Sequence, residues 1–142
     1  MTEKYYKFPI QHHNMNESPK DFYLKSLRSF IGAKEYKIAR EFYSELGFEI
    51  IEIDSKMCLV KANDTLCFYL QDAYVKNWIN NSMLFLEVED LDAFYSWVIQ
   101  KQLPTKFKNV RFTEIRNESW GREFFMHDPS GVLWHFGSFN SH

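Results

Sequence analysis

Residues 122–137 read Arg122-Glu123-Phe124-Phe125-Met126-His127, then Asp128-Pro129-Ser130-Gly131, then Val132-Leu133-Trp134-His135-Phe136-Gly137. The central tetrapeptide is turn chemistry: proline fixes its own φ and glycine accepts a positive one. The flanks are rich in the aromatic and β-branched residues that suit a pleated surface. The segment is therefore a hairpin. A four-residue turn at 128–131 would pair 127 with 132 and put Phe124, Met126, Leu133 and His135 on one face. Upstream, Phe112–Arg116 reads as a third strand. Asp90 can cap a helix that runs to about Gln100, with Leu91, Phe94, Tyr95 and Val98 on one side. Met83–Glu89 reads as a strand in which Leu84, Leu86 and Val88 share one face and Met83, Phe85 and Glu87 the other. The aliphatic face should pack on helices and the mixed face should point into a concave interior or a partner.

The same order occurs earlier in the chain. Leu27–Ala33 is a candidate strand, and residues 35–46 form a helix with Ile38, Phe42 and Leu46 four apart. Gly47 follows where a C-terminal cap needs positive φ. Phe48–Ile53, Met57–Ala62 and Thr65–Leu70 read as strands, the last two joined through Asn63-Asp64. That two-residue turn would put Met57 and Leu59 on a face with Phe68 and Leu70. Phe-Tyr-Ser occurs in both helices, at 42–44 and at 94–96. An echo at the same place in two β-α-β-β-β units indicates an internal repeat. The expected fold is α+β: two βαβββ modules, about 27–70 and 83–137, in one domain spanning 27–139, with curved mixed sheets and helices outside. Residues 1–26 hold Pro9, Pro19 and His12-His13 without periodicity, and read as an N-terminal arm. A short helix can begin near Ser18-Pro19.

Composition narrows the function classes. The 142 residues carry a net charge of −2, which argues against nucleic acid as a partner. Residues 41–92 hold 11 acidic and 3 basic groups, a balance that favours a cationic ligand or a solvated surface. No apolar run is long enough for a membrane span, and Cys58 and Cys67 do not suggest a disulfide framework. A cytoplasmic protein is expected. Fourteen Phe, eight Tyr and four Trp make 18% of the chain, so rings fill the core, line a pocket, or both.

Trp120-Gly121-Arg122-Glu123-Phe124, Asp128-Pro129-Ser130-Gly131 and Trp134-His135-Phe136 together resemble the C-terminal signature of bleomycin-resistance proteins. These belong to the glyoxalase/bleomycin-resistance/dioxygenase (vicinal oxygen chelate) superfamily. Glu41-Phe42-Tyr43 through Leu46-Gly47-Phe48 is similar to that superfamily's first helix and its glycine exit. The resemblance spans roughly 27–137 and implies the same paired βαβββ modules. It also implies metal-ligand positions at Arg28, Met83 and His135, with another near Phe68. Of these only His135 suits a first-row divalent ion, so the enzymes' ligand set is not expected and no cofactor is anticipated.

The implied function is non-catalytic: a homodimer, with an exchanged N-terminal segment, that sequesters an aromatic or cationic small molecule in clefts between subunits. A bleomycin-type antibiotic is one such ligand. Trp120 matches the family's stacking tryptophan, beside Gly121 of the motif. Phe85 and Phe107 match aromatic cleft positions, and Met57 stands where the family has a phenylalanine. Glu52, Glu87 and Glu118 would supply negative charge, and His135 would lie in the cleft. Arg28 could hold a ligand carboxylate or pair with Glu87. The alternative is a diverged glyoxalase or dioxygenase-like enzyme that uses His135 in a non-standard metal site. A third alternative is a module whose cup is filled by Phe68, Phe85, Phe124 and Met126.

Overall fold

The computed structural model describes residues 18–141. The pair His12-His13 and most of the expected arm lie outside the described residues. Ser18 donates its backbone N–H to Asp21 Oδ2 at 2.9 Å as a single 3₁₀ turn begins, Pro19–Phe22. The first module follows as β1 (Phe30–Gly32), α1 (Tyr36–Leu46), β2 (Glu49–Asp54), β3 (Met57–Lys61) and β4 (Cys67–Gln71). A short α2 (Lys76–Asn80) leads into the second: β5 (Met83–Glu87), α3 (Leu91–Gln100), α4 (Leu103–Lys106), β6 (Arg111–Phe112), β7 (Arg116–Asn117), β8 (Gly121–His127) and β9 (Leu133–Phe139).

The strand orders are β1-β4-β3-β2 and β5-β9-β8-β6, with β7 also on β8. In each sheet the first strand runs parallel to the last, β1 with β4 and β5 with β9, and the other pairings are antiparallel. This is the expected α+β architecture of two βαβββ units in curved mixed sheets. Helix α1 ends as its sequence dictates, with Gly47 at φ 108° and its N–H on the Ser44 carbonyl. Asp90 caps α3 by accepting from Ala93 N at 3.0 Å. The sequence alone did not indicate α2 or α4. The strand expected over Phe112–Arg116 is broken into β6 and β7 because the Thr113 hydroxyl, in place of a carbonyl, takes the N–H of Phe125 at 2.9 Å.

Both hairpins differ by one residue from their expected register. Lys61 pairs with Cys67 and Val60 with Phe68; His127 pairs with Leu133 and Met126 with Trp134. The cause is the same in each loop. Asn63 Oδ1 accepts from Thr65 N and Leu66 N, at 2.9 and 2.8 Å. Asp128 Oδ1 accepts from the N–H groups of Ser130, Gly131 and Val132, each at 2.9 Å. A side-chain carbonyl that gathers these donors closes a loop of three residues, 63–65 or 129–131. The loop is one residue longer than expected at 63–65 and one shorter at 129–131, and either change inverts the faces. Cys58 and Val60 therefore join Phe68 and Leu70 in the core, while Met57 and Leu59 lie with Tyr69 and Gln71. Phe124 and Met126 join Trp134 and Phe136, leaving Phe125 and His127 with Leu133 and His135.

One face of each sheet carries the helices, and the two covered faces merge in one core. Ala39, Phe42, Tyr43 and Leu46 of α1 are fully buried. Tyr43 touches Phe68 of the first sheet at 5.2 Å between ring centroids and Trp134 of the second at 5.9 Å. From α3, Phe94 meets Phe136 at 5.1 Å and Tyr95 meets Phe124 edge-on at 4.9 Å. Among the described residues neither α1 nor α3 covers the opposite faces, where Phe30, Ile51, Phe85 and Phe139 stay exposed.

Candidate functional site

On the open face of the second sheet, the period-2 alternation brings Met83, Phe85 and Glu87 of β5 beside Leu133, His135, Gly137 and Phe139 of β9. Glu123 and Phe125 of β8 continue the row. Trp120 enters it from the turn before β8, where Glu118 N–H bonds the Gly121 carbonyl at 2.7 Å. Asn140 fixes that turn from the other side: its N–H donates to Trp120 O at 2.9 Å and its side chain to Ser119 O at 3.1 Å. Gly121 has no room for a side chain, since a Cβ would collide with the Ser138 carbonyl oxygen. The motif's Trp-Gly pair is thus a ring and the close strand contact that aims it.

The rings form a continuous cluster. Trp120 and Phe139 lie 5.0 Å apart, Phe85 and Phe139 5.7 Å, and Phe85 and Trp120 5.8 Å at 61°. Phe85 lies nearly parallel to the His135 imidazole at 6.3 Å, and Phe125 meets the same imidazole edge-on at 4.7 Å. The cluster exists because position 137 is glycine. A Cβ there would lie 2.6 Å from Phe85 Cζ and 3.2 Å from the Trp120 ring. These rings are far from sealed: Phe85 is 45% exposed and Phe139 53%. An exposed apolar patch of this kind is a candidate binding surface.

Charge is set into the same face. Glu123 is 7% exposed, and its Oε2 lies 3.5 Å from His135 Nδ1. His135 Nε2 is buried without a partner. Arg116 stands over the Phe125 ring at 5.3 Å, a cation on the π face. Glu87 is exposed at the end of β5 and Glu118 is exposed in the turn before Trp120. Beside the cluster, a cavity of about 230 Å³ opens between β4 and β5, with Leu27, Cys67, Leu84, Phe85 and Trp134 in its wall.

The structure thus brings Trp120, Gly121, Phe85, Glu87 and His135 to one face. Met57 lies on the open face of the other sheet, in the row of Leu59, Tyr69 and Ile51. It does not bring Glu52 or Phe107 to either open face. Glu52 pairs across the strand with buried Cys58, on the helix side, and its carboxylate binds Arg40 of α1 at 3.0 Å. Phe107 is 8% exposed and packs edge-on against Phe42 in the core, 5.5 Å away. Sequence reasoning missed Phe139, Phe125 and Glu123, although Phe139 is in period-2 register with His135 and Gly137. Of the four side chains that could have filled a cup, Phe68, Phe124 and Met126 face the helices and Phe85 alone faces outward.

The positions that correspond to the superfamily's metal ligands hold other chemistry. Arg28 Nη1 donates to Tyr69 OH at 2.8 Å and its guanidinium lies 5.5 Å from that ring, while Phe30 stacks on Tyr69 at 4.8 Å. Among the described residues Arg28 makes no ion pair with Glu87. Phe68 points into the core, and Met83 offers a thioether, a poor ligand for a hard or borderline divalent ion. Glu123 and His135 are a pair, and among the described residues no three His, Cys, Asp or Glu side chains gather as a metal site requires. This donor set does not fit the superfamily's divalent ion.

No family model matches the chain, and no curated protein does. Solved structures do match. The bleomycin-binding protein from bleomycin-producing Streptomyces verticillus, solved with copper(II)-bleomycin, superposes with a TM-score of 0.67 at 22% identity, over 81% of this chain and 96% of that one. The bleomycin resistance determinant encoded on transposon Tn5 gives 0.63 at 18% identity, over 82% and 99%. TnmS3, an antibiotic binding protein from Streptomyces sp. CB03234, gives 0.62 at 19% identity, over 82% and 98%. The chain has the fold of the glyoxalase/bleomycin-resistance superfamily.

Proposed function

We propose that this protein is a non-catalytic binding protein that sequesters a planar aromatic small molecule of antibiotic type against the open face of its second sheet. The observation that carries this reading is the exposed ring cluster of Phe85, Trp120 and Phe139, continued by His135 and Phe125. Each good ring contact adds about 0.5–1.5 kcal/mol beyond area burial, so three or four suffice for a tight planar ligand. Glu87 and Glu123 favour a cationic group on that ligand. The bleomycin complex of the Streptomyces verticillus relative and the antibiotic-binding TnmS3 support the ligand class. A second copy would close the cleft by laying the open face of its first sheet, with Phe30, Met57 and Tyr69, over these rings. No bond is made or broken; the ligand is removed from solution by mass action.

The test is a tryptophan-fluorescence titration with metal-free and copper-loaded bleomycin, followed by other planar cationic antibiotics, with Trp120→Ala as control. The expected result is saturable quenching at one ligand per chain, weakened at least about tenfold in the variant, as loss of a stacked ring worth ~1.5 kcal/mol requires. Binding indifferent to Trp120 would overturn the location. Stoichiometric metal retained by the purified protein and lost in His135→Ala would overturn the non-catalytic reading.

A further inference from the structure

A second groove lies away from the ring cluster, at the junction of the two modules. Its wall holds Lys34 from the loop after β1, Arg111 of β6, His127 of β8 and Ser130 of the Asp128–Gly131 turn, with Tyr74 and Asn109 at the rim. The space between them is about 180 Å³.

Three features make this groove unusual for a chain of net charge −2. Its lining contains no carboxylate. Among the described residues neither Lys34 nor Arg111 makes an ion pair. Arg111 and His127 are directly opposed across the β6–β8 ladder, where the guanidinium charge disfavours a proton on the imidazole. Asp128, which adjoins His127 in sequence, is buried and turned inward: Tyr43 OH donates to Oδ2 at 2.7 Å, and three backbone N–H groups occupy Oδ1. Ser130 Oγ accepts the backbone N–H of Lys34 at 3.0 Å, which leaves its own hydroxyl proton to donate. The Lys34 ammonium stands over the Tyr74 ring at 5.8 Å, at the rim.

We propose that this groove binds a small tetrahedral oxyanion, free phosphate or the phosphoryl group of a phosphomonoester. Lysine, arginine, histidine and serine side chains from four segments line the groove, and their donors suit several oxygens carrying nearly two negative charges better than a single carboxylate. A bound anion would favour a proton on His127 beside Arg111. Burial and, second to it, the charge of Arg111 hold the His127 imidazole below its ordinary pKa. An anion seated between the two raises it.

The test follows the His127 ring protons by NMR, assigned with His127→Gln, while inorganic phosphate, methyl phosphate or acetate is added at constant ionic strength. Saturable shifts and a raised His127 pKa with phosphate but not with acetate are expected. Methyl phosphate as strong as phosphate would identify the phosphoryl group of a larger molecule as the ligand; much weaker binding would identify the free ion. Lys34→Gln and Arg111→Gln, both at exposed positions, should each weaken phosphate about tenfold, the loss of one charge-assisted bond. Equal shifts with acetate, shifts that never saturate, or variants that bind as well as the parent would overturn the site. Because wild-type protein alone separates phosphate from acetate, a variant that misfolds does not decide the matter.

Discussion

The phenol of Tyr43 is at once an acceptor and a donor. Trp134 Nε1–H donates to it at 2.9 Å, and it donates to Asp128 Oδ2 at 2.7 Å, all three groups lying in the core. This clasp ties α1 of one module to the last hairpin of the other. Tyr43→Phe would leave an indole N–H and a carboxylate oxygen buried without partners. At about 1–3 kcal/mol for each orphan, the expected loss is about 2–6 kcal/mol, measured by urea unfolding. Asp128 gives the clasp a pH signature. Burial is the largest influence and raises its pKa, against the opposing pull of Tyr43 and the three backbone N–H groups. A native pKa above the unfolded value means that the folded state holds the proton more tightly. The contribution is therefore fully present below the unfolded pKa and is lost as pH rises through the native one. Asp128→Asn has no such titration. The stability of wild type relative to this variant should rise as pH falls from neutrality into the acid range; a difference constant with pH would contradict it.

At the scale of elements, the sequence conveyed periodicity well and loop chemistry poorly. The alternation in β5 correctly separates Leu84 and Leu86, packed inward, from exposed Met83, Phe85 and Glu87. The positions of α1 and α3 follow from apolar spacing plus Gly47 and Asp90. Hairpin faces were not legible, because turn residues announce that a loop exists and not how many donors its Asx side chain will collect. Glu52 and Phe107 show another limit: which side of a sheet a residue takes depends on register, and whether a ring is core or cleft depends on which helix covers it. Gly137 is an element-scale determinant that no local motif announces. Gly137→Ala should push Phe85 and Trp120 off β9, at about 1–3 kcal/mol for overpacking, with a changed near-ultraviolet circular dichroism spectrum and weakened ligand binding. An unchanged spectrum would mean that the cluster is looser than its distances imply.

At the scale of the whole molecule, the described residues present a large uncovered apolar surface. Phe30, Ile51, Phe85 and Phe139 are exposed on the open faces, and Tyr23 and Leu24 are exposed ahead of β1, where Leu27 is 99% exposed. A second copy covering these faces, with the segment before β1 laid across it, would account for all of them. Since burying a leucine is worth about 1.5–3 kcal/mol, the proposed dimer predicts that Leu27→Glu raises its dissociation constant at least about tenfold in sedimentation equilibrium, and a wild-type protein that sediments as a monomer would overturn the dimer itself. The unfolding of the single chain should be unaffected, because Leu27 touches little of it. The two three-residue hairpin loops bear on how the molecule can change over time. Surface loops ordinarily absorb insertions and deletions at little cost. Here, losing one residue from 63–65 or 129–131 would rotate a strand by one position. Trp134 and Phe136, or Phe68 and Leu70, would turn to solvent, and the open-face residues of the same strand, His135 and Phe139 or Tyr69, would turn against the helices. The places on the surface that look most free to vary in length are the places where a single-codon deletion would turn the protein inside out.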